Sequence, residues 1–300
     1  QVRGWGIPMA TDIAFALGVV AILGSRVPQP LKVFLLTLAI VDDIGAILVI
    51  AVFYSDHLEP EWLLAAVGIV LVVAFLRRAQ VRYLPVYVIL GAALWFAVFE
   101  MGVHATIAGV VMGLLTPAVP FQTEVETQNV VDVLDHTPGI TLADVRAASF
   151  LLRESVSVAE RTEDVLHPWV SYVVVPIFAL ANAGVTFSSD SLTSEPRLLL
   201  GVVLGLVVGK TVGVGGMTWL GVRLGVGRLP QGTGPLHVLG IALIAGIGFT
   251  VALFITGLAF DDVAVQDQAK VGILIASALA AALGAAVLVA ARRTPGAPGP

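Results

Sequence analysis

The chain has 300 residues, of which 58% are hydrophobic and 12% are charged, whereas soluble domains carry about 25% charged residues. Its mean hydropathy of +0.97 and its net charge of −5 exclude a soluble enzyme, a disordered chain and a nucleic-acid binder with a basic face. The sequence contains no cysteine, which excludes disulfides, thiolate metal sites and a cysteine nucleophile.

Nine apolar runs, each bounded by charged residues, glycine or proline, follow one another along the chain. They cover 4–25, 31–54, 61–76, 84–99, 103–117, 166–187, 197–220, 236–260 and 268–291. A helix that crosses a membrane needs about 20 apolar residues, so the runs 84–99 and 103–117 are short for full spans. The pattern predicts an all-α polytopic membrane protein.

One long polar stretch interrupts this series at 118–165. We predict a cytosolic loop there, with an amphipathic helix over 142–160. It separates transmembrane helices in 1–117 from four more in 166–291. The tail 292–300 is rich in proline and glycine and is predicted to be disordered.

Basic residues alternate between the two sides of the predicted spans. The successive connections and the C-terminal end hold 2, 0, 3, 0, 3, 1, 2, 1 and 2 lysines or arginines. Because cytosolic connections carry the excess of basic residues, the pattern predicts nine crossings with the C-terminus in the cytosol and residue 1 outside.

Four ionisable residues lie at depth in the predicted spans: Asp12, Asp42, Asp43 and Lys210. A charge at the centre of a spanning helix costs about 2.5–3.5 kcal/mol on insertion scales, so such residues face a cavity or pair with one another. Two close carboxylates resist joint ionisation, so Asp42 and Asp43 can hold a proton near neutral pH. Carboxylate oxygens also suit hard cations, and the pair is therefore a candidate for exchanging H⁺ and Na⁺.

Two runs are interrupted by residues that break helices. Pro8 interrupts the first run, and Gly246 and Gly248 interrupt the eighth. Two simpler interpretations stay open: Asp12 caps a helix near the interface, and the glycines only allow close helix packing. Interrupted helices at matching positions of two halves point instead to a transporter site near the membrane midplane.

Seven short motifs, in order and with matching spacing, resemble the NhaA-type bacterial sodium/proton antiporters over essentially the whole chain. They are ATDIAFAL at 10–17, VDDIGA at 41–46, GVHATIAGV at 102–110, LHPW at 166–169, ANAG at 181–184, GK at 209–210 and GIGFT at 246–250. The resemblance implies an inverted-repeat fold with two broken, crossing helices.

The family has twelve spans, and this chain resembles the fourth to the twelfth; with the first three absent, the piece alone is expected not to transport. The resemblance implies a transporter, not an enzyme, of the bacterial inner membrane. It would exchange cytosolic Na⁺ or Li⁺ for external H⁺, electrogenically and under pH regulation, in sodium and pH homeostasis. No cofactor is implied, the lipid bilayer and the transported ions are the implied partners, and a homodimer is left open.

The resemblance also assigns roles to individual residues. Asp43 would be the main cation carboxylate, and Asp42 would pair with Lys210 and take part in proton exchange. Asp12, with Thr11, would lie where the broken helices cross and would balance their positive ends.

Further positions follow from the same resemblance. Gly246 and Gly248 would mark the break in the partner helix. The positions associated with the pH response fall on His104, Arg161 and Glu163, although a lone histidine at a helix start is more often an interfacial residue.

Two rival functions use the same carboxylates. Among membrane-embedded enzymes, an intramembrane aspartyl protease would need a second catalytic aspartate in a distant span, and the GIGFT run offers no acid. A polyprenyl-transferase would need a second acidic cluster for Mg²⁺, for which DDVAVQD at 261–267 is a weak candidate. A passive channel would conduct without counter-transport, but two broken helices and an Asp–Lys pair favour gated exchange.

Overall fold

The computed structural model describes residues 2–54, 59–81, 83–120, 141, 142, 145, 146, 149, 150, 152, 155–182, 184 and 196–291. All regular secondary structure in these residues is helical, and they contain no strand. The predicted all-α class is confirmed.

In the residues that the structure describes, ten α-helices follow a short 3₁₀ helix, Val2–Met9. They are α1 (Ile13–Leu23), α2 (Gln29–Phe53), α3 (Pro60–Arg78), α4 (Leu84–Glu100), α5 (Thr106–Leu115), α6 (Val158–Trp169, a π-helical turn Val170–Val174, then Val175–Asn182), α7 (Pro196–Leu204, a π-helical turn Gly205–Gly209, then Lys210–Arg223), α8 (Pro235–Ile244), α9 (Phe249–Ala259) and α10 (Val263–Ala290).

Prolines and side-chain caps fix where many of these helices begin. A proline in the first turn needs no hydrogen-bond acceptor for its nitrogen and has its φ angle already set for a helix. Five helices, α2, α3, α4, α7 and α8, have a proline in their first two positions: Pro30, Pro60, Pro85, Pro196 and Pro235 respectively. Where the sequence offers a polar cap instead, as Asp262 does for α10, its carboxylate accepts a hydrogen bond from the Ala264 N–H at 2.8 Å.

Each of the nine predicted runs contains helix. Within the described part of the chain, six helical segments are long and apolar enough to cross a membrane. A seventh candidate is the pair α8 and α9, which is bent by 47°. The two runs predicted to be short form the short helices α4 and α5. The protein is therefore a multi-pass membrane protein.

The helix α6 begins earlier than its apolar run, inside the range 118–165 that the sequence assigned to a loop. Ser157 caps it by accepting a hydrogen bond from the Glu160 N–H at 3.1 Å. The first turns are polar, so a criterion based on apolar residues detects only the later part of the helix. Most of 118–157, part of the predicted amphipathic helix and the tail 292–300 lie outside the described residues.

The chain divides into two compact units, one of residues 1–54 and 178–300 and the other of residues 55–177. In the first unit, α10 packs along α8, and buried apolar side chains fill the space among α2, α8 and α10. They include Leu31, Leu35, Ile241, Ile244 and Leu288. In the second unit, α3, α4 and α5 pack together around Ala66, Leu94, Ala97 and Ala108.

Candidate functional site

The first predicted interruption lies between the 3₁₀ helix and α1. The 3₁₀ helix contains Pro8 and ends at Met9, and the backbone is then non-helical through Asp12. Asp12 is the N-cap of α1, and its Oδ1 accepts a hydrogen bond from the Phe15 N–H at 3.0 Å. The break thus presents backbone polar groups and one carboxylate inside an otherwise apolar run.

The second interruption lies between α8, which ends at Ile244, and α9, which begins at Phe249. Gly246 lies in this break against the carbonyl oxygen of Leu206, and a Cβ atom at position 246 would overlap that oxygen. A side chain at Gly248 would meet the Leu206 side chain at 2.9 Å. These glycines therefore allow close packing of α7, as the simpler interpretation had it, and they also lie at a break between two helices.

The two breaks meet and are joined by hydrogen bonds. The Asp12 N–H donates to the carbonyl oxygen of Ile247 at 2.6 Å, and the Thr11 hydroxyl donates to that of Ala245 at 3.0 Å. Thr11 and Asp12 are 0% and 2% exposed. Asp12 therefore caps a helix, as the simpler interpretation had it, and also lies at the crossing that the resemblance implies.

Asp42 and Lys210 form a salt bridge beside this crossing. The Lys210 Nζ lies 2.6 Å from the Asp42 Oδ2 and also donates to the Met9 carbonyl oxygen at 2.7 Å. The Thr11 hydroxyl lies 2.7 Å from the same Asp42 oxygen. The ammonium thus links α7 to α2 and to the Met9 carbonyl at the end of the 3₁₀ helix. The carbonyl end of a helix carries partial negative charge, which the ammonium offsets.

Asp43 does not share these partners, although it follows Asp42 directly. Successive residues of an α-helix point about 100° apart. The Asp43 Oδ1 is buried and has no hydrogen-bond partner within the part of the chain that the structure describes. The two carboxylates therefore have different surroundings, one in a salt bridge and the other with an unsatisfied oxygen.

A π-helical turn, Gly205–Gly209, immediately precedes Lys210. Such turns insert one extra residue into a helix and occur often at functional sites. This turn also carries Leu206, whose carbonyl oxygen lies against Gly246. Sequence reasoning missed it, and the only signal was the pair of glycines that bound the turn.

Besides this turn, sequence reasoning missed the role of one residue, Thr250. Its backbone N–H and its hydroxyl both donate to the Asp12 Oδ2, at 2.9 and 2.6 Å. The signal in the sequence was its place in GIGFT, directly after the glycines of the break. Nothing local indicated which carboxylate, if any, it would contact.

The three candidates for the pH response all belong to the second unit, whereas the network above belongs to the first. His104 lies just before α5, and Arg161 and Glu163 lie in the first turns of α6. Arg161 lines a cavity of about 1220 Å³ together with Glu160 and Asp164, whereas Glu163 is exposed and is not among the lining residues.

The acidic cluster considered for an enzyme has other partners in the structure. Asp262 caps α10, and Asp267 lies 3.5 Å from the ammonium of Lys270. Two of the three acids in this cluster therefore make contacts within α10 or at its start.

Comparison with known proteins bears on the same residues. Residues 1–288 match the profile of the family described as Na⁺/H⁺ antiporter 1. The chain is 48% identical over 296 residues to the Na(+)/H(+) antiporter NhaA of Rhodopirellula baltica, covering 96% of this chain and 67% of that protein. It is 45% identical over 293 residues to the protein of the same name from Caulobacter vibrioides, with 97% and 64% covered.

A third relative, the Na(+)/H(+) antiporter NhaA of Helicobacter pylori, is 43% identical over 304 residues, with 96% of this chain and 68% of that protein covered. The chain thus spans about two thirds of the length of these relatives. Their names agree with the resemblance that the motifs indicated. The chain belongs to the Na⁺/H⁺ antiporter 1 family, a family of membrane transporters rather than enzymes.

Proposed function

We propose that the protein exchanges cytosolic Na⁺, or Li⁺, for external H⁺ at the Asp42–Asp43 pair, with more protons than sodium ions moved in each cycle. The family membership and the site geometry both support this exchange. The proposal concerns the whole protein, because the chain spans about two thirds of the length of the relatives it matches.

The observation that carries the proposal is the buried, unsatisfied Oδ1 of Asp43. A carboxylate oxygen in an apolar span without a donor is unfavourable unless a positive charge accompanies it. Either a proton or a sodium ion supplies that charge at the same oxygens. The two ions therefore compete for Asp43, and such competition is the chemical basis of exchange.

The charges of the site also indicate where a second proton is carried. Exchange of one proton for one sodium ion at Asp43 alone moves no net charge. An electrogenic cycle needs another titrating group, and the Asp42–Lys210 pair lies next to Asp43 on the chain and in the fold. A sodium ion that contacts both carboxylates has to compete with the Lys210 ammonium for Asp42, so cation binding and proton release are coupled there.

The crossing of the two broken helices supports alternating access. Non-helical backbone is tolerated at membrane depth where it is buried in protein or lines a cavity. We infer that the assembly around the breaks rocks between inward-open and outward-open states, as in transporters with interrupted helices. Sodium then enters from the cytosolic side and leaves on the other side, where protons return.

The first test is the variant Asp43→Asn, measured in proteoliposomes as Na⁺-dependent proton release. The amide cannot ionise, so we expect the exchange to be abolished. Asp261→Asn is the matched control, because Asp261 is an exposed acid before α10, and it should retain the native rate. Unchanged exchange in Asp43→Asn would overturn the assignment.

A second test uses the competition itself. If each sodium ion displaces protons from the pair, the apparent KM for Na⁺ should fall as pH rises, by up to about tenfold per pH unit for each proton displaced. Measurement of initial rates between pH 6.5 and 8.5, roughly spanning physiological pH, gives this slope. An apparent KM that is independent of pH would contradict a shared site.

Three finer features belong to the proposal and rest on the resemblance. His104, Arg161 and Glu163 would shape the pH response, and their neutral variants should shift the pH profile without abolishing exchange at its optimum.

The protein would lie in a bacterial inner membrane with its C-terminus in the cytosol. The homodimer that the resemblance leaves open is decided by native mass spectrometry, which gives either the monomer mass or twice that mass.

A further inference from the structure

The carboxylate of Asp12 caps two helices at once. Its Oδ1 accepts a hydrogen bond from the Phe15 N–H at 3.0 Å, within the first turn of α1. Its Oδ2 accepts from the N–H of Thr250 at 2.9 Å, within the first turn of α9. The first N–H groups of a helix have no partner within the helix, so one buried side chain here satisfies groups of both half-helices.

The hydroxyl of Thr250 adds a third bond to this carboxylate, at 2.6 Å to the Asp12 Oδ2. Threonine hydroxyls inside helices commonly bond back to the carbonyl four residues earlier. Thr256 on the same helix does so, donating to the Ala252 carbonyl at 2.8 Å. Thr250 is the second residue of α9, four residues after Gly246 in the break, and its hydroxyl is turned to a different helix instead.

We propose that Thr250 is a positioning residue for ion exchange, whose hydroxyl fixes the Asp12 carboxylate between the two half-helices. The residue before Asp12 is Thr11, whose hydroxyl lies 2.7 Å from the Asp42 Oδ2. A carboxylate that is free to rotate would release the start of α9 and loosen the alignment of Thr11 with Asp42. The role rests on the proposed exchange at Asp42 and Asp43, but it assigns Thr250 no contact with the transported cation.

The variant Thr250→Val tests the hydroxyl alone, because valine keeps the branched shape and the backbone N–H while removing the hydroxyl donor. Hydrogen bonds to charged groups are among the stronger ones, and we expect the maximal rate of Na⁺-driven proton exchange in proteoliposomes to fall about tenfold. The apparent KM for Na⁺ should stay within about twofold of the native value, since Asp42 keeps its salt bridge to Lys210 and both carboxylates of the pair stay in place.

Three further variants make the result specific. Thr250→Ser keeps a hydroxyl and should restore most of the rate. Thr256→Val, the matched control, removes a hydroxyl whose bond stays within α9 and should leave the rate near native. In an Asp12→Asn background, the additional loss caused by Thr250→Val should largely disappear, because the two residues act through one contact.

Each outcome decides the matter. A native rate in Thr250→Val, an equal loss in Thr256→Val, or an equal loss with and without the Asp12 carboxylate would overturn the proposal. So would a raised KM with an unchanged maximal rate, which would assign Thr250 to cation binding. If Thr250→Val does not fold, Thr250→Ala removes the same hydroxyl and should lose the same rate, whereas Thr250→Ser keeps most of it; a native rate in Thr250→Ala would overturn the proposal. Retention of exchange in Asp43→Asn would instead reject the exchange site, independently of Thr250.

Discussion

At the scale of single residues, two adjacent aspartates of one helix have different surroundings. Asp42 lies between the Lys210 ammonium and the Thr11 hydroxyl, whereas Asp43 keeps a buried oxygen without a partner in the described part of the chain. Helical geometry requires this difference, because neighbouring side chains cannot point the same way. The lysine side chain is only 7% exposed, so its charge depends on the contacts that the fold provides.

The salt bridge between Asp42 and Lys210 leads to a prediction about stability. Lys210→Met removes one partner and leaves a carboxylate without its counter-charge, which costs about 3–5 kcal/mol in buried pairs. We expect a clearly lower midpoint of thermal unfolding in detergent.

The double variant Asp42→Asn with Lys210→Met supplies the control for this prediction. It removes both charges and should recover most of the lost stability, even though exchange is abolished. If the double variant is as unstable as Lys210→Met alone, the pair is not the cause of the effect.

At the scale of secondary-structure elements, three interrupted helices are brought to one place. The break before α1 and the break between α8 and α9 are bonded to each other, and the π-helical turn of α7 packs onto the second break. The turn precedes Lys210 directly, so the element that closes the crossing from one side also positions its lysine. These three irregular stretches therefore lie beside Asp12, Asp42 and Lys210.

Gly246 provides the test at this scale. In Gly246→Ala the new Cβ would overlap the Leu206 carbonyl oxygen and lie 3.0 Å from that of Leu243. Backbone atoms cannot move aside as a flexible side chain can, so we expect destabilisation of about 1–3 kcal/mol or more and a loss of exchange.

Gly257→Ala is the matched control, because Gly257 lies in α9 and has no atom within 4 Å of the position of a new Cβ. Alanine favours helix by about 1 kcal/mol over glycine, so this variant should keep its thermal midpoint or raise it. A Gly246→Ala variant as stable and active as Gly257→Ala would contradict the close approach of α7.

At the scale of the whole molecule, the exposed apolar surface and the distribution of basic residues indicate how the protein lies in the membrane. Many large apolar side chains on the helices are exposed, such as Ile22 and Leu180 at 85% and 79%. Such a surface is suited to lipid, since exposed apolar area of this extent is rare in soluble monomers. The alternation of basic connections predicts a direction, in which the end of α10 would lie on the cytosolic side.

The absence of native cysteine makes this orientation directly measurable. Single cysteines at Gly227, in the connection that holds Arg228, and at Asp261, before α10, lie at exposed positions. In intact cells, we expect a membrane-impermeant thiol reagent to label the cysteine at 261 and not the one at 227. Permeabilised cells provide the control, since both positions should then react; the reverse pattern in intact cells would invert the topology.

Local properties explain how much of the fold could be predicted. Whether a segment forms a spanning helix depends on its own hydropathy and on the prolines and glycines within it, so all nine runs contain helices. The break at Pro8 and the break at Gly246 were predicted on the same basis. The start of α6 was not, because its first turns are polar and are stabilised by a cap rather than by an apolar face.

The sequence by itself determined the class of protein, the approximate helices, the two breaks and the four ionisable residues at depth, since each depends on one segment and its cost in an apolar medium. Only the tertiary structure decided that Thr250 binds Asp12 and that α7 packs on Gly246, and it brought Asp42 to Lys210, a pair that the resemblance implied. These contacts join residues 168 positions apart for the salt bridge and 238 for Thr250 and Asp12. Contacts of that separation depend on how helices pack, which no local pattern of residues specifies.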